Sequence, residues 1–212
     1  MNRKVTSPIK YSNEGRMEEH IQLLKDSFER EFKFIDANDR PTFYGKPVHI
    51  EMSFLSPNGF PQSFIHLIGF DAKDVNFDEK SVLACANDES SLSCDNNCLL
   101  KHYEYVERVY PDGNTKKKYP CLYRGARIVW INQIIKLADS GSPHVRIFEE
   151  SYYKKGIRQT DIHLRYTEGI IDYDVILIKK RDRYILKSAF PVIHSRKKKD
   201  LDQKYTSYLS QI

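Results

Sequence analysis

Residues 170–192 read Ile170-Ile-Asp-Tyr-Asp-Val-Ile-Leu-Ile-Lys-Lys-Arg-Asp-Arg-Tyr-Ile-Leu-Lys-Ser-Ala-Phe-Pro-Val192. The run Val175-Ile-Leu-Ile178 is apolar on both faces, as in a strand buried from two sides. Residues 184–192 form a second β-branched and aromatic run. Only Lys180-Arg-Asp182 and Arg183 separate the two, so they predict an antiparallel hairpin. Residues 144–153, with Val145 and Ile147, read as a further strand. Ahead of them, residues 122–138 carry Ile128, Ile131, Ile134 and Leu137 at helical spacing, with Trp130 beside them as a core anchor. Asp139-Ser-Gly-Ser-Pro143 closes that element.

Further upstream, Ile21, Leu24, Phe28, Phe32 and Ile35 recur at three- and four-residue steps. They mark one face of an amphipathic helix of about five turns, stopped by Asp36-Ala-Asn-Asp-Arg-Pro41. Val48, Ile50 and Met52 alternate as in a half-buried strand. Ser56-Pro-Asn-Gly59 signals a turn. Residues 63–70 then read as a second strand, or as a strand entering a helix. Residues 1–16 carry no period and read as a flexible N-terminal arm. Residues 17–212 form a single α+β domain: one or more N-terminal helices packed on a curved, largely antiparallel sheet. An irregular, Cys-containing insertion lies at about 84–121. Residues 200–209 read as a closing helix.

Of the 212 residues, 34 are basic and 29 acidic, for a net charge of +5. The segment 179–204 alone holds ten Lys/Arg and three Asp, so it carries +7 and leaves the rest at −2. A basic face on a near-neutral body is the footprint of a polyanion partner. No stretch approaches the roughly 18 apolar residues of a membrane span. The first ten residues lack the apolar core of a signal peptide. A cytoplasmic location, no membrane partner and reduced thiols are therefore expected. Cys94, Cys98 and His102, completed by Cys85 or Cys121, offer a zinc-site spacing. Plain buried or surface thiols remain the alternative.

The phosphate-cradling, dinucleotide, nucleophile-elbow and zinc-protease signatures are all missing. No tight carboxylate cluster suggests a two-metal nuclease, so no cofactor is expected. The remaining His, Arg, Lys, Ser and Tyr residues suit metal-free attack by a ribose 2′-hydroxyl on its own phosphodiester. That chemistry needs a base, an acid and a cation, and it selects RNA.

Three stretches carry a resemblance: Phe64-Ile-His66-Leu-Ile-Gly69, then Arg124-Gly-Ala-Arg127-Ile-Val-Trp130-Ile131, then Asp172-Tyr-Asp-Val-Ile through Tyr184-Ile-Leu-Lys-Ser188-Ala-Phe190. In that order they resemble the prophage-type nucleases of the barnase–EndoU–colicin–RelE (BECR) fold superfamily. The insertion at 84–121 departs from that pattern. The resemblance implies a metal-independent endoribonuclease. It also implies use as a toxin or in mobile-element and phage conflict, held in check by an immunity or antitoxin protein. His66 would transfer protons, Arg124 and Arg127 would bind phosphate, and Ser188 would orient it. Lys187, His194, Arg196, Lys197 and Lys198 would hold the RNA. His163, in the stretch 158–165 flanked by Arg, and His194 are alternatives for the second proton-transfer role. A non-catalytic nucleic-acid-binding protein using the basic hairpin is the competing expectation, and a zinc-stapled interaction module a third.

Overall fold

The computed structural model describes residues 4–11, 16–36, 39–56, 59–71, 106–109 and 113–211. Cys85, Cys94, Cys98 and His102 lie outside the described residues, so the zinc expectation falls there, apart from Cys121. The protein is α+β, as the sequence predicts. A helical layer covers one face of a strongly curled six-stranded sheet, and a C-terminal helix lies on the other.

The sheet is built around a meander of β6 (Val145–Lys154), β7 (Ile157–Glu168), β8 (Ile171–Lys179) and β9 (Tyr184–Pro191), each antiparallel to the next. A small hairpin of β1 (Thr42–Phe43) and β2 (Lys46–His49) extends it, with β2 parallel to the start of β9. The order is β1-β2-β9-β8-β7-β6. A second sheet joins β3 (Gly69–Asp71), β5 (Thr115–Pro120) and β4 (Val106–Val109).

Alternation along the meander explains its two faces. Ile162, Leu164 and Tyr166 of β7 and Tyr173, Val175 and Leu177 of β8 enter the main core. There they meet Leu24 and Phe28 of α1 (Met17–Phe32) and Phe64, Ile65 and Ile68 of α2 (Gln62–Ile68). Ile131, Ile134 and Ile135 of α4 (Trp130–Asp139) complete the layer. Burying such a side chain contributes about 1.5–3 kcal/mol, so this face sets the fold. The opposite face carries Asp161, His163 and Arg165 of β7 and Asp172 and Asp174 of β8, all buried. They are covered by α5 (Ser195–Leu209), which seats Leu201 against Phe148 and Val192.

Several expectations need correction. The first helix ends at Phe32, so it is shorter than the pattern reaching Ile35 suggested. Residues 63–70 are mostly helix: α2 runs to Ile68 and only then turns into β3, so His66 sits on a helix. Between Val48–Met52 and this helix, one isolated bridge joins Leu55 to Pro61 among the described residues. The single helix expected over 122–138 is two, α3 (Leu122–Gly125) and α4, split by a turn. A Cβ on Gly125 would lie 2.3 Å from Leu24 Cδ1, so any larger residue there would make the buried Leu24 side chain shift. Lys116–Lys118 lie in β5.

The arm also differs from its expectation over residues 4–11. The Trp130 indole donates to Thr6 O (2.7 Å), Ile9 N donates to Ala126 O (2.9 Å), and Tyr11 Oη donates to Leu122 O (2.7 Å). Val5, Ile9 and Tyr11 pack on the core. The sparse apolar residues of this segment are enough to dock it, although they are too few to show a period.

Candidate functional site

The two arginines of the R-x-x-R stretch are not an exposed phosphate clamp. Both are buried. Beyond Ile185, β9 has no pairing to β2, so its free edge leaves carbonyls to satisfy. Arg124 does this, donating Nη2 to Ala189 O (3.1 Å) and Nη1 to Gly69 O (2.8 Å). It thereby ties α2's exit to the sheet edge. Arg127 donates Nη1 to Tyr123 O (2.7 Å) and stacks over the Tyr123 ring at 3.4 Å. Trp130, beside it, makes an edge contact with core-facing Tyr173 at 5.6 Å. Cys121 is buried, and as the N-cap of α3 its sulfur accepts from Arg124 N (3.4 Å).

His66 lies half-buried on the less covered side of α2. Its helix packs on α3 and β9, so His66 and Arg124 occupy one neighbourhood at the β9 edge. Ser188 is elsewhere. Its register partner is Ile176, whose neighbours two residues away, Asp174 and Ile178, alternate with the core residues, which puts Ser188 on the outer face. Arg127 is on the core side. The structure therefore packs the helices that carry His66 and Arg124 together but does not bring Arg127 to Ser188.

A different constellation surrounds Ser188. Ile176 pairs with Ser188 and Leu177 with Leu186, so Lys187 is an extra residue in β9. Such bulges re-aim side chains. Here the bulge sends Lys187 to the outer face beside Ser188. The Lys187 ammonium contacts the Asp161 carboxylate and donates to Tyr152 Oη (3.0 Å). Tyr152 Oη also lies 3.2 Å from Asp161 Oδ1. Burial alone would lower the Lys187 pKa, but Asp161 and Tyr152 outweigh it and hold it above the ordinary lysine range. Lys187 is thus a standing cation.

Two residues along β7 from Asp161, and on the same face, is His163. Its spacing from Asp161 is roughly 7 Å along the strand. His163 Nδ1 is 2.8 Å from Asp174 Oδ2, with both side chains buried. The ring stacks flat on Phe148 at 4.5 Å. His163 Nε2 is buried and makes no hydrogen bond among the described residues; Glu150 Oε2 stands 3.5 Å away. Asp174 Oδ1 is likewise unsatisfied. Uncompensated polar atoms of this kind are rare and costly. Asp174 fixes the orientation of the imidazole through Nδ1, which turns Nε2 toward Glu150.

The α5 helix closes the site from one side. Lys204 donates to Glu150 Oε2 (3.0 Å) over the His163 ring edge. Arg165 makes a two-pronged bond to Asp172 (2.8 and 2.7 Å) and reaches Asp202 of α5 at 2.9 Å. Burial opposes the Arg165 charge, and the two carboxylates more than restore it. Lys198 pairs with Asp172 (3.2 Å) and Lys197 with Asp200 (3.2 Å). Of the predicted RNA-holding residues, only Lys187 is in this constellation. His194 is the N-cap of α5, and Arg196 is exposed on that helix's first turn.

Sequence reasoning missed Asp161, Asp174, Tyr152 and the whole of β7 as a strand. The signal was present in Ile162-His-Leu164-Arg-Tyr166, a strict alternation. No protein-family model matches the chain, and no curated protein or solved structure matches it.

Proposed function

We propose that this protein is an endoribonuclease that cleaves RNA by 2′-hydroxyl transesterification on the outer face of the sheet, without a metal ion. One observation carries the reading: a buried His163, held at Nδ1 by Asp174 and with no hydrogen bond at Nε2 among the described residues, on the same outer face as the bulged Lys187–Ser188 step, two strands away across Ile176. His163 Nε2 takes the 2′-hydroxyl proton as that oxygen attacks phosphorus. The Lys187 ammonium stabilises the charge that builds on the phosphorane oxygens. The Ser188 hydroxyl orients the phosphate. The Tyr152 hydroxyl, next to the Lys187 cation, protonates the departing 5′-oxygen. The products are a 2′,3′-cyclic phosphate and a free 5′-hydroxyl.

His66 and Arg124 take no part in this scheme. Arg124 is committed to two backbone carbonyls. Toxicity, or use in phage conflict with an immunity or antitoxin partner, follows from the BECR resemblance, and an RNA target places the action in a cytoplasm. No helix among the described residues is long and apolar enough to cross a membrane.

A second reading, a non-catalytic RNA-binding protein, is favoured by the closure of His163 beneath Glu150 and Lys204. Incubating purified protein with labelled RNA in EDTA separates the two. Cleavage leaving a 2′,3′-cyclic phosphate supports the nuclease. A gel shift without cleavage supports the binder. Cleavage that stops in EDTA and returns with Mg²⁺ contradicts the mechanism.

A further inference from the structure

Consecutive antiparallel strands put the β6–β7 and β8–β9 turns at the same end of the sheet. The β1–β2 hairpin joins them there, because Lys46 Nζ donates to Arg181 O (2.9 Å) and β2 pairs with the first residues of β9. This end carries Lys154, Lys155, Arg158, Lys180 and Arg181, all exposed. None of these five has a carboxylate partner among the described residues. Between them stand three exposed apolar side chains: Tyr153 (75 % exposed), Ile157 (68 %) and Tyr44 (62 %). The hairpin from Ser151 to Arg158 projects beyond the body as a ribbon, with nearly every side chain exposed. Within it Tyr153 and Arg158 are direct register partners, so a ring and a guanidinium sit side by side on one face.

We infer that this turn end is the docking surface for single-stranded RNA. The inference deepens the proposed nuclease reading, on which it rests, by naming where the substrate is held. Unpaired cations supply sequence-independent phosphate attraction. Exposed rings between cations supply stacking platforms, and only an unpaired strand has base faces free to use them. A duplex keeps its bases stacked inside. An anionic membrane fits less well: the ribbon's apex is Lys154-Lys155-Gly156, so the part that would enter a lipid surface first is its most polar part. Tyr152, at the ribbon's base, touches Lys187 on the ribbon's other face, so a strand stacked on Tyr153 crosses the ribbon's edge to reach the cleavage site.

The test is fluorescence anisotropy with a labelled single-stranded RNA analogue whose 2′-hydroxyls are replaced by hydrogen, so binding is read without cleavage. Replacing Lys154, Lys155, Lys180 and Arg181 by Ala should weaken binding at least tenfold. It should also lower the salt slope by about 3, at roughly 0.7 per phosphate contact. Tyr153→Ala should cost roughly five- to a hundredfold in single-strand affinity while leaving duplex affinity unchanged. Arg196→Ala with Lys199→Ala, at the opposite end, is the matched control. Single-strand affinity that survives the four-residue change overturns the inference. So does an equal loss for single strand and duplex in Tyr153→Ala, or a preference for phosphatidylserine vesicles over RNA. Failure of the nuclease reading looks different: the wild-type protein binds the analogue through this surface yet leaves ordinary RNA intact.

Discussion

The two ends of the meander draw on one basic segment and use it in opposite ways. At the turn end, Lys180 and Arg181 face solvent and pair with no carboxylate among the described residues, the adjacent Asp182 pairing instead with Arg183. At the helix-covered end, Lys197, Lys198 and Lys204 are paired with Asp200, Asp172 and Glu150. The eight residues of β9 separate them by roughly 26 Å. A run of positive charge is therefore not one surface. The acids that neutralise these lysines come from α5 itself and from β6 and β8, up to 54 residues away in sequence. The turn end is free to attract phosphate, and the other end is a clamp holding α5 on the sheet.

The sharpest contrast between the ends is in stability. Arg165→Ala should destabilise the fold by about 3–5 kcal/mol, because it strips buried Asp172 of its two-pronged partner and leaves only the half-exposed Lys198. Arg181→Ala should stay within about 0.5 kcal/mol. Urea unfolding of both variants measures this, and similar midpoints would erase the distinction between clamp and free surface.

Next in size is Lys187→Ala, which should cost activity on the order of 10²–10³-fold with little change in analogue binding. Because the Lys187 pKa is raised, its charge is complete below the ordinary lysine range and is lost only as pH climbs through the raised value. A pH–rate profile should show no decline attributable to Lys187 up to about pH 10. A plateau abolished near pH 8 in wild type but retained in Lys187→Ala would contradict that role.

A smaller effect is expected from Lys204→Ala. This half-exposed pair contributes at most about 1 kcal/mol, and its loss opens the approach to His163 Nε2. Cleavage should rise a few-fold while the melting temperature shifts slightly; reduced cleavage would mean that the pair supports the site rather than covers it. The smallest effect belongs to Arg196, Lys197 and Lys198 replaced together by Ala. Two of the three are spent on acids and Arg196 lies at the control end, so the salt slope for RNA should hardly change. A fall as large as that of the turn-end variant would show that both ends bind.

The α+β plan was legible because α1, α4, β8 and β9 bury apolar residues at clean periods. Leu24, Phe28 and Val175 have no exposure at all. β7 was not read as a strand because its outer face carries Asp161, His163 and Arg165, charges that look like a loop until α5 covers them. The bulge at Lys187 was invisible as well. Ser188 was singled out by motif, yet only the register of β8 against β9 shows that Lys187 shares its face. Arg124 and Arg127 illustrate the reverse error. Their spacing suits a phosphate clamp, but the carbonyls of Gly69, Ala189 and Tyr123 claim them, and no local pattern reveals a partner 65 residues away.

The central claim, that the outer face of the sheet cleaves RNA around His163, is tested most directly by comparing wild type with His163→Ala on labelled single-stranded RNA in EDTA. The account predicts a 2′,3′-cyclic phosphate product from wild type. It predicts a rate roughly 10²–10⁴-fold lower for the variant, with unchanged affinity for the 2′-deoxy analogue. Equal cleavage by the two proteins, or loss of cleavage in His66→Ala but not in His163→Ala, would contradict it.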